Sequence, residues 1–273
     1  MMESILQVDQ ERCIRCSHCA NVCPVDVIHM GKHGPEDTGN HCIACGHCVA
    51  VCPRAALNNL KAPLSNQVSI ERIPVLDEKI AANFLRARRS VRCYKPAAVA
   101  REKILQLLNI ARMAPTGGNS QGLSYYVIDN PDTLKAITAA TIDWMEELIK
   151  NSSPMAPYFT GVVNKYRATS HDVILRGAPC LVIAIAPKNL FPKSRDNTHF
   201  SLAYTELYAP TIELGTCWAG FFEACALSGY QPLLDLLKLP VDMNVTGGLM
   251  VGYPEYTYKR LVDRKPLQVI WQE

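Results

Sequence analysis

A chain of 273 residues with 48% hydrophobic and 19% charged residues has room for one large domain and a small one, and its composition excludes a disordered protein. No run approaches the roughly 18 uninterrupted apolar residues of a membrane span, the opening MMESILQVDQ lacks the basic start and apolar stretch of a signal peptide, and the formal net charge of +3 carries no nucleic-acid signature. The expectation is a cytoplasmic protein with no membrane and no nucleic-acid partner, in which twelve cysteines argue for metal binding over disulfides.

Charge is unevenly spread. Residues 1–60 hold four Lys and Arg against six Asp and Glu, a balance of −2, so the remainder carries +5. Cysteines 13, 16, 19 and 23 recur at 42, 45, 48 and 52, an offset of 29, and their surroundings echo: RCIRCSHCANVCPVDVI against HCIACGHCVAVCPRAAL. Each half reads C-x2-C-x2-C-x3-C-P. Four thiolates so close suit iron, because the sulfides of a cluster let several cysteines converge on one cube. A zinc module would instead use two CxxC pairs or a Cys/His mixture. Pro24 and Pro53 remove a backbone donor as the chain leaves each run. His18 and His47 occupy matching slots and read as surface residues, since the cysteines already complete the ligand count.

Residues 4–58 resemble a bacterial two-cluster 2×[4Fe–4S] ferredoxin, in which the fourth cysteine of each run crosses to the other cluster. By that resemblance Cys13, Cys16, Cys19 and Cys52 hold one cluster, and Cys23, Cys42, Cys45 and Cys48 the other. The domain expected here spans 1–60, followed by a linker over 61–76 that takes in most of the polar stretch NNLKAPLSNQVSIERIP at 58–74, and then a larger domain over 77–273.

Helical periodicity begins at Asp77, with Ile80, Phe84 and Leu85 on one side, and returns over 100–115 with Ile104, Leu107, Leu108 and Ala111. Strands are expected over 123–129, 180–186 and 246–254, and helices over 131–150 and 200–214, the latter interrupted by Pro210. The run APCLVIAIAP at 178–187 has the length and proline brackets of a buried strand. The fold class is α+β, a small ferredoxin-like two-cluster domain followed by helices around one sheet.

Three separated motifs lie in this larger part. RRSVRCYKP at 88–96 gathers Arg88, Arg89 and Arg92 with the Ser90 hydroxyl, a set suited to phosphate. APTGGNSQ at 114–121 offers small and amide residues that let a planar ring approach the backbone. GYPEYTYKRLVDRKPL at 252–267 brings Arg264 and Lys265. Alone, each basic stretch reads as a solvated face. Together, with ELGTCWAGFF at 213–222 as a fourth match, they resemble the FMN-dependent nitroreductase family over roughly 80–273.

The resemblance implies a nitroreductase-type α+β sandwich that binds FMN. Arg88, Arg89, Ser90 and Arg92 would grip phosphate, ribitol and the pyrimidine edge of the ring, and Arg264, with Lys265, would form a C-terminal phosphate anchor. Pro115, Thr116, Gly117 and Asn119 would reach the flavin from the other subunit, and Trp218, Ala219 and Gly220 would flank the ring. A homodimer with two FMN sites at its interface is implied. The stretch 141–176, with Trp144, Tyr158, Phe159 and Tyr166, stands where the family builds its substrate lid, although ordinary helix packing explains such aromatics as well. Pro210, and QGLSYYV at the strand start, depart from the family pattern. Cys93, Cys180, Cys217 and Cys225 read as small buried hydrophobes, and nothing in the sequence carries His171 to the pocket.

The leading functional expectation is an oxidoreductase fed by an external low-potential, ferredoxin-like donor. Electrons would pass from the clusters to FMN and on to a small aromatic or conjugated substrate such as a nitroaromatic. One alternative takes hydride from NADH or NADPH and uses the clusters as an electron exit; the absence of G-x-G-x-x-G does not oppose it. Another is a redox relay or sensor module without a small substrate. No catalytic side chain can be named from the sequence.

Overall fold

The computed structural model describes residues 4–71, 73–190 and 192–272. Its contacts divide the chain into two units, Met1–Val75 with Gly117–Ser120, and Leu76–Thr116 with Gln121–Glu273.

The smaller unit is built twice over. Strands β1 (Leu6–Val8) and β4 (Leu57–Asn59) pair antiparallel, with Leu6 opposite Asn59 and Val8 opposite Leu57. Between them β2 (Ile28–Gly31) and β3 (Gly34–Asp37) form a hairpin. The single-turn helices α1 (His18–Asn21) and α2 (His47–Ala50) occupy matching slots of the repeat. Left-handed backbone recurs at the same offset: Arg15 and Ala44 at φ 54°, Ser17 at 64° and Gly46 at 73°, Asp26 at 49° and Ala55 at 46°. Such angles crowd Cβ against the following carbonyl, so their recurrence means that the two runs bend alike as well as read alike. Leu6, Val27, Ile28, Val49 and Leu57 form the core.

Part of the stretch read as linker is folded. Asn58 and Asn59 belong to β4, Leu64–Asn66 makes a 3₁₀ turn, and Gln67 Nε2 donates to the carbonyls of Gly46 and Ala62, each at 3.4 Å. A three-residue strand and one turn are too short to print a period in sequence. Beyond them Val68, Ile70 and Val75 are exposed.

The larger unit opens with α3 (Glu78–Ala87), capped by Asp77, whose carboxylate accepts from the Lys79 and Ile80 N–H groups. It continues through α4 (Arg101–Ala111), β5 (Ser124–Ile128), α5 (Pro131–Lys150), α6 (Ala156–Thr169), β6 (Cys180–Pro187), α7 (Lys193–Tyr208), β7 (Gly215–Trp218), α8 (Gly220–Leu227), α9 (Gln231–Leu237) and β8 (Met243–Gly252). The sheet has order β5-β6-β8-β7 and every pair is antiparallel. Both faces are covered. On one, Leu181, Ile183 and Ile185 of β6 pack with Ile137, Ile142, Phe159, Phe222 and Leu233; on the other, Cys180 and Val182 meet Ile104, Leu107 and Leu202. A strand buried on both faces reads as a continuous apolar run instead of alternating, which is why 180–187 is so plain in the sequence. Among the described residues no helix is long and apolar enough to cross a membrane.

Helix α7 begins seven residues before the sequence-based start and stops at Tyr208; Ala209–Ile212 continues as a 3₁₀ turn around Pro210. Trp144 and Phe159 are core residues whose rings lie 5.6 Å apart across α5 and α6, so helix packing accounts for them. Tyr158 is exposed and stands 5.9 Å from the Phe221 ring. One correction concerns Cys93. It is exposed, whereas Cys180, Cys217 and Cys225 are buried, because Val91 and Tyr94 take the inward positions of that extended segment.

Candidate functional site

Two features could hold cofactors, one in each unit. In the smaller unit, the eight cysteines of the double run surround two separate cavities. Cys13, Cys16, Cys19 and Cys52 line one, and Cys23, Cys42, Cys45 and Cys48 line the other. Each cavity therefore takes three thiols from one run and the fourth from the other. The crossing follows from the fold: β1 pairs with β4 and the two short helices are packed together, which brings the end of each run back to the start of its twin. Among the described residues no three Cys, His, Asp or Glu converge closely enough to hold a single ion. Each set of four thiols lines one shared cavity, and the donor set is that of iron–sulfur ligation.

Backbone donors serve these sulfurs in a repeated pattern. The Val27 N–H donates to Cys23 Sγ at 3.3 Å and the Ala56 N–H to Cys52 Sγ at 3.2 Å. His18 and His47 are exposed, in keeping with surface residues.

In the larger unit, the segment 88–92 runs beside β7. Ser90 bridges to Thr216 and the Val91 N–H donates to the Thr216 carbonyl at 2.8 Å. Two of the sequence motifs, 88–96 and 213–222, thus share one edge of the sheet. A residue not foreseen from sequence ties them together. Glu206 of α7, 6% exposed, receives Arg88 Nη1 at 3.2 Å on one carboxylate oxygen and Trp218 Nε1 at 2.9 Å on the other. Burial pushes the Glu206 carboxyl up from its ordinary range, against the opposing pull of Arg88 and the two donated hydrogen bonds.

Arg89 is held by its own neighbourhood. Its Nη1 donates to the carbonyls of Arg86 and Arg88, each at 2.8 Å, and its Nη2 to the Arg260 carbonyl at 3.1 Å. Its Nε is buried with no hydrogen-bond partner among the described residues. The residue lines an open pocket with Val91, Glu206, Glu213, Thr216, Tyr256 and Tyr258. A guanidinium held in place at the wall of such a pocket suits an anionic group such as the phosphate of FMN. Arg92 is exposed, with Nη1 3.4 Å from the Ser90 carbonyl.

At the other end of this edge, the Ala219 N–H is already donated to the Gly248 carbonyl at 2.9 Å. Gly220 is the first residue of α8, where no intrahelical acceptor exists for its N–H. The Trp218 ring lies 5.2 Å from the His199 ring, tilted by 48°. Arg264 and Lys265 lie in the exposed C-terminal stretch after Gly252, which has no helix or strand, and the Arg264 N–H donates to Asp263 Oδ1 at 2.8 Å.

The remaining segment, Pro115 to Asn119, divides between the units. Thr116 Oγ1 accepts from the Gln121 N–H at 3.1 Å, both in the larger unit, while Asn119 Nδ2 donates to the Ile43 carbonyl at 2.9 Å, both in the smaller. His171 is exposed on the loop after α6.

Residues 85–253 match the family model described as the nitroreductase family, and residues 5–53 that of a 4Fe–4S dicluster domain. Among solved structures, the chain is similar to a nitroreductase with bound FMN from Bacteroides fragilis NCTC 9343, at 16% identity and TM-score 0.57, over 71% of this chain and 100% of that one. A nitroreductase with bound FMN from Desulfitobacterium hafniense DCB-2 gives the same figures. A BluB-like flavoprotein from Clostridium difficile 630 shares 19% identity at TM-score 0.53, over 68% of this chain and 94% of that one. These likenesses show the fold. Comparison with curated proteins gives no match.

Proposed function

Because this chain belongs to the nitroreductase family and carries a 4Fe–4S dicluster domain ahead of that fold, we propose that it is an iron–sulfur flavin oxidoreductase fed one electron at a time. In this reading the smaller unit takes electrons from an external low-potential donor of ferredoxin type, and the larger unit delivers them to a small aromatic or conjugated substrate such as a nitroaromatic. The observation that carries it is the distribution of thiols: two cavities, each lined by four cysteines drawn three from one run and one from the other.

Bound FMN supplies the conversion between one-electron and two-electron chemistry, which [4Fe–4S] clusters lack. The chain's own residues do the rest. Arg88, Arg89, Ser90 and Arg92 would hold the cofactor's phosphate, ribitol and pyrimidine edge, with Arg264 and Lys265 as a second anchor. Exposed Arg92 brings positive charge to where negative charge develops on reduction. Glu206 holds Arg88 and Trp218 in register, so that the phosphate-side and ring-side segments are fixed before any ligand arrives. The Gly220 N–H, at the positive end of α8, would be the donor available to the ring.

We further propose a homodimer. Ile80, Phe84 and Leu85 of α3 are 60%, 39% and 56% exposed, and the C-terminal stretch leaves Leu267, Ile270 and Trp271 at 89%, 98% and 84%. Apolar surface in that amount on one chain is the mark of an association face. The second copy would supply its own residues 115–119 to the flavin.

The test is anaerobic rapid mixing of the protein carrying clusters and FMN with NADH, NADPH or a reduced ferredoxin, following the flavin absorbance. Fast bleaching by reduced ferredoxin alone is expected. Direct bleaching by a nicotinamide at equal or greater speed would overturn the assignment of the clusters as the electron entrance.

A further inference from the structure

The two cysteine cavities follow one repeat, and the repeat breaks at one pair of positions. Met30 lines the first cavity; 29 residues later, Asn59 lines the second. Asn59 is only 2% exposed. Its Nδ2 donates to Cys42 Sγ at 3.7 Å and to Cys48 Sγ at 3.8 Å, and the amide is held in that orientation by Oδ1, which accepts from the Lys61 N–H at 2.9 Å. The thioether of Met30 has no proton to donate. The backbone donors from Val27 and Ala56 match across the repeat and cancel in the comparison, while the Ala44 N–H adds a further bond to Cys42 Sγ at 3.4 Å.

We propose that Asn59 is a tuning residue that raises the reduction potential of the cluster held by Cys23, Cys42, Cys45 and Cys48 above that of its twin. The inference rests on the cluster assignment made above. Reduction adds one negative charge to a cluster and thiolates that are already anionic. A donor aimed at the sulfurs stabilises the more negative state more, and so raises the potential. Arg15 and Arg54, which line the first cavity, pull the other way. Both are exposed, so water and salt screen them, whereas the amide acts at contact in a buried setting where a hydrogen bond is at its strongest. The first electron from a one-electron reductant therefore comes to rest on the second site. Between the sites the exchange is one electron: the first cluster is oxidised, the second reduced, and no bond or proton moves.

The experiment uses the full chain loaded with iron and sulfide, reduced by dithionite through poised potentials, with paramagnetic resonance spin counts at each. Two one-electron steps are expected. Asn59→Met should lower the upper midpoint by about tenfold in equilibrium constant, about 59 mV for a one-electron couple, and leave the lower one in place. Met30→Asn should raise the lower midpoint and leave the upper. Each substitution touches one cavity, so the step that moves identifies its cluster. If Asn59→Met loses its iron, the Met30→Asn result decides alone. Unmoved midpoints in variants that keep full iron and sulfide, or movement of the lower step in Asn59→Met, overturn the inference. A wild-type chain holding well under about eight irons overturns the cluster assignment itself, and iron analysis separates that failure from the other.

Discussion

Glu206 Oε1 lies 3.2 Å from Arg88 Nη1 across 118 residues of sequence, and its second oxygen receives the Trp218 indole N–H. One buried carboxylate on α7 thus joins the two sequence motifs proposed to hold the flavin. Glu206→Ala leaves a guanidinium and an indole N–H without their acceptor, which costs about 1–3 kcal/mol. Glu206→Gln keeps one amide oxygen as acceptor and should recover part of that loss. Denaturant unfolding measures both effects, and fluorescence titration should show weaker FMN binding in Glu206→Ala; equal FMN affinity in wild type and both variants would dissociate Glu206 from the site.

Burial holds the Glu206 carboxyl above its ordinary range, so the folded chain keeps this proton to higher pH than the unfolded chain does. The stability linked to that proton is fully present below about pH 4.3 and is lost as pH rises through the folded value. Glu206→Gln cannot titrate and should flatten that part of the profile. Thermal melts of flavin-free protein from about pH 4 upward compare the two slopes, and parallel profiles would refute the shift.

Cys52 belongs to the second run in sequence and to the first cavity in space. Cys52→Ser should therefore halve the iron, leave FMN binding intact and abolish turnover driven by reduced ferredoxin. Iron analysis, flavin absorbance and turnover on a nitroaromatic read the three outcomes separately. Full cluster-driven turnover in the variant would contradict the wiring.

Burial pushes the Cys180 and Cys225 thiols up to about 12, which leaves almost no thiolate at pH 8. Cys93 is exposed. Among the four cysteines of the larger unit, brief iodoacetamide treatment of the native protein should label Cys93 alone. Peptide mass spectrometry reads the sites, and labelling of Cys180 at a comparable rate would mean that the β6 core opens.

Truncation after Glu255 removes the apolar C-terminal stretch, Arg264 and Lys265 proposed as a second phosphate anchor, and the Arg260 carbonyl that restrains Arg89, while sparing β8. The sheet should fold, the dimer should dissociate, and FMN affinity should fall by more than about tenfold, or about 1.4 kcal/mol. Sedimentation and flavin titration together test this; a flavin-loaded dimer without the stretch would remove it from the site.

Legibility in the sequence tracked how local each cause was. The cysteine spacing, the apolar run of β6 and the Pro-led α5 are all set by neighbours within a few turns, and each stands close to where the sequence put it. The nitroreductase motifs 88–92 and 213–222 do meet at the β7 edge. Glu206 and Asn59 escaped notice because each owes its role to partners brought near by folding: an acidic residue in a mixed helix and an asparagine at a strand end carry no period and no motif. Cys93 misled for a related reason. Cysteine is usually buried, but the side on which it falls was decided by Val91 and Tyr94 seeking the core.

The left-handed residues of the smaller unit have a bearing on how the protein is made. Five of the six paired positions carry a side chain instead of glycine, each costing roughly 1–2 kcal/mol, and the core beneath them is a handful of aliphatic residues. Such a module is expected to gain much of its folding free energy from ligation, as other small metal-dependent domains do. The larger unit has its own two-sided sheet and owes nothing to iron. Without iron the larger unit is expected to stay folded while the smaller unit opens, and limited proteolysis of iron-free protein should cut first within about the first sixty residues.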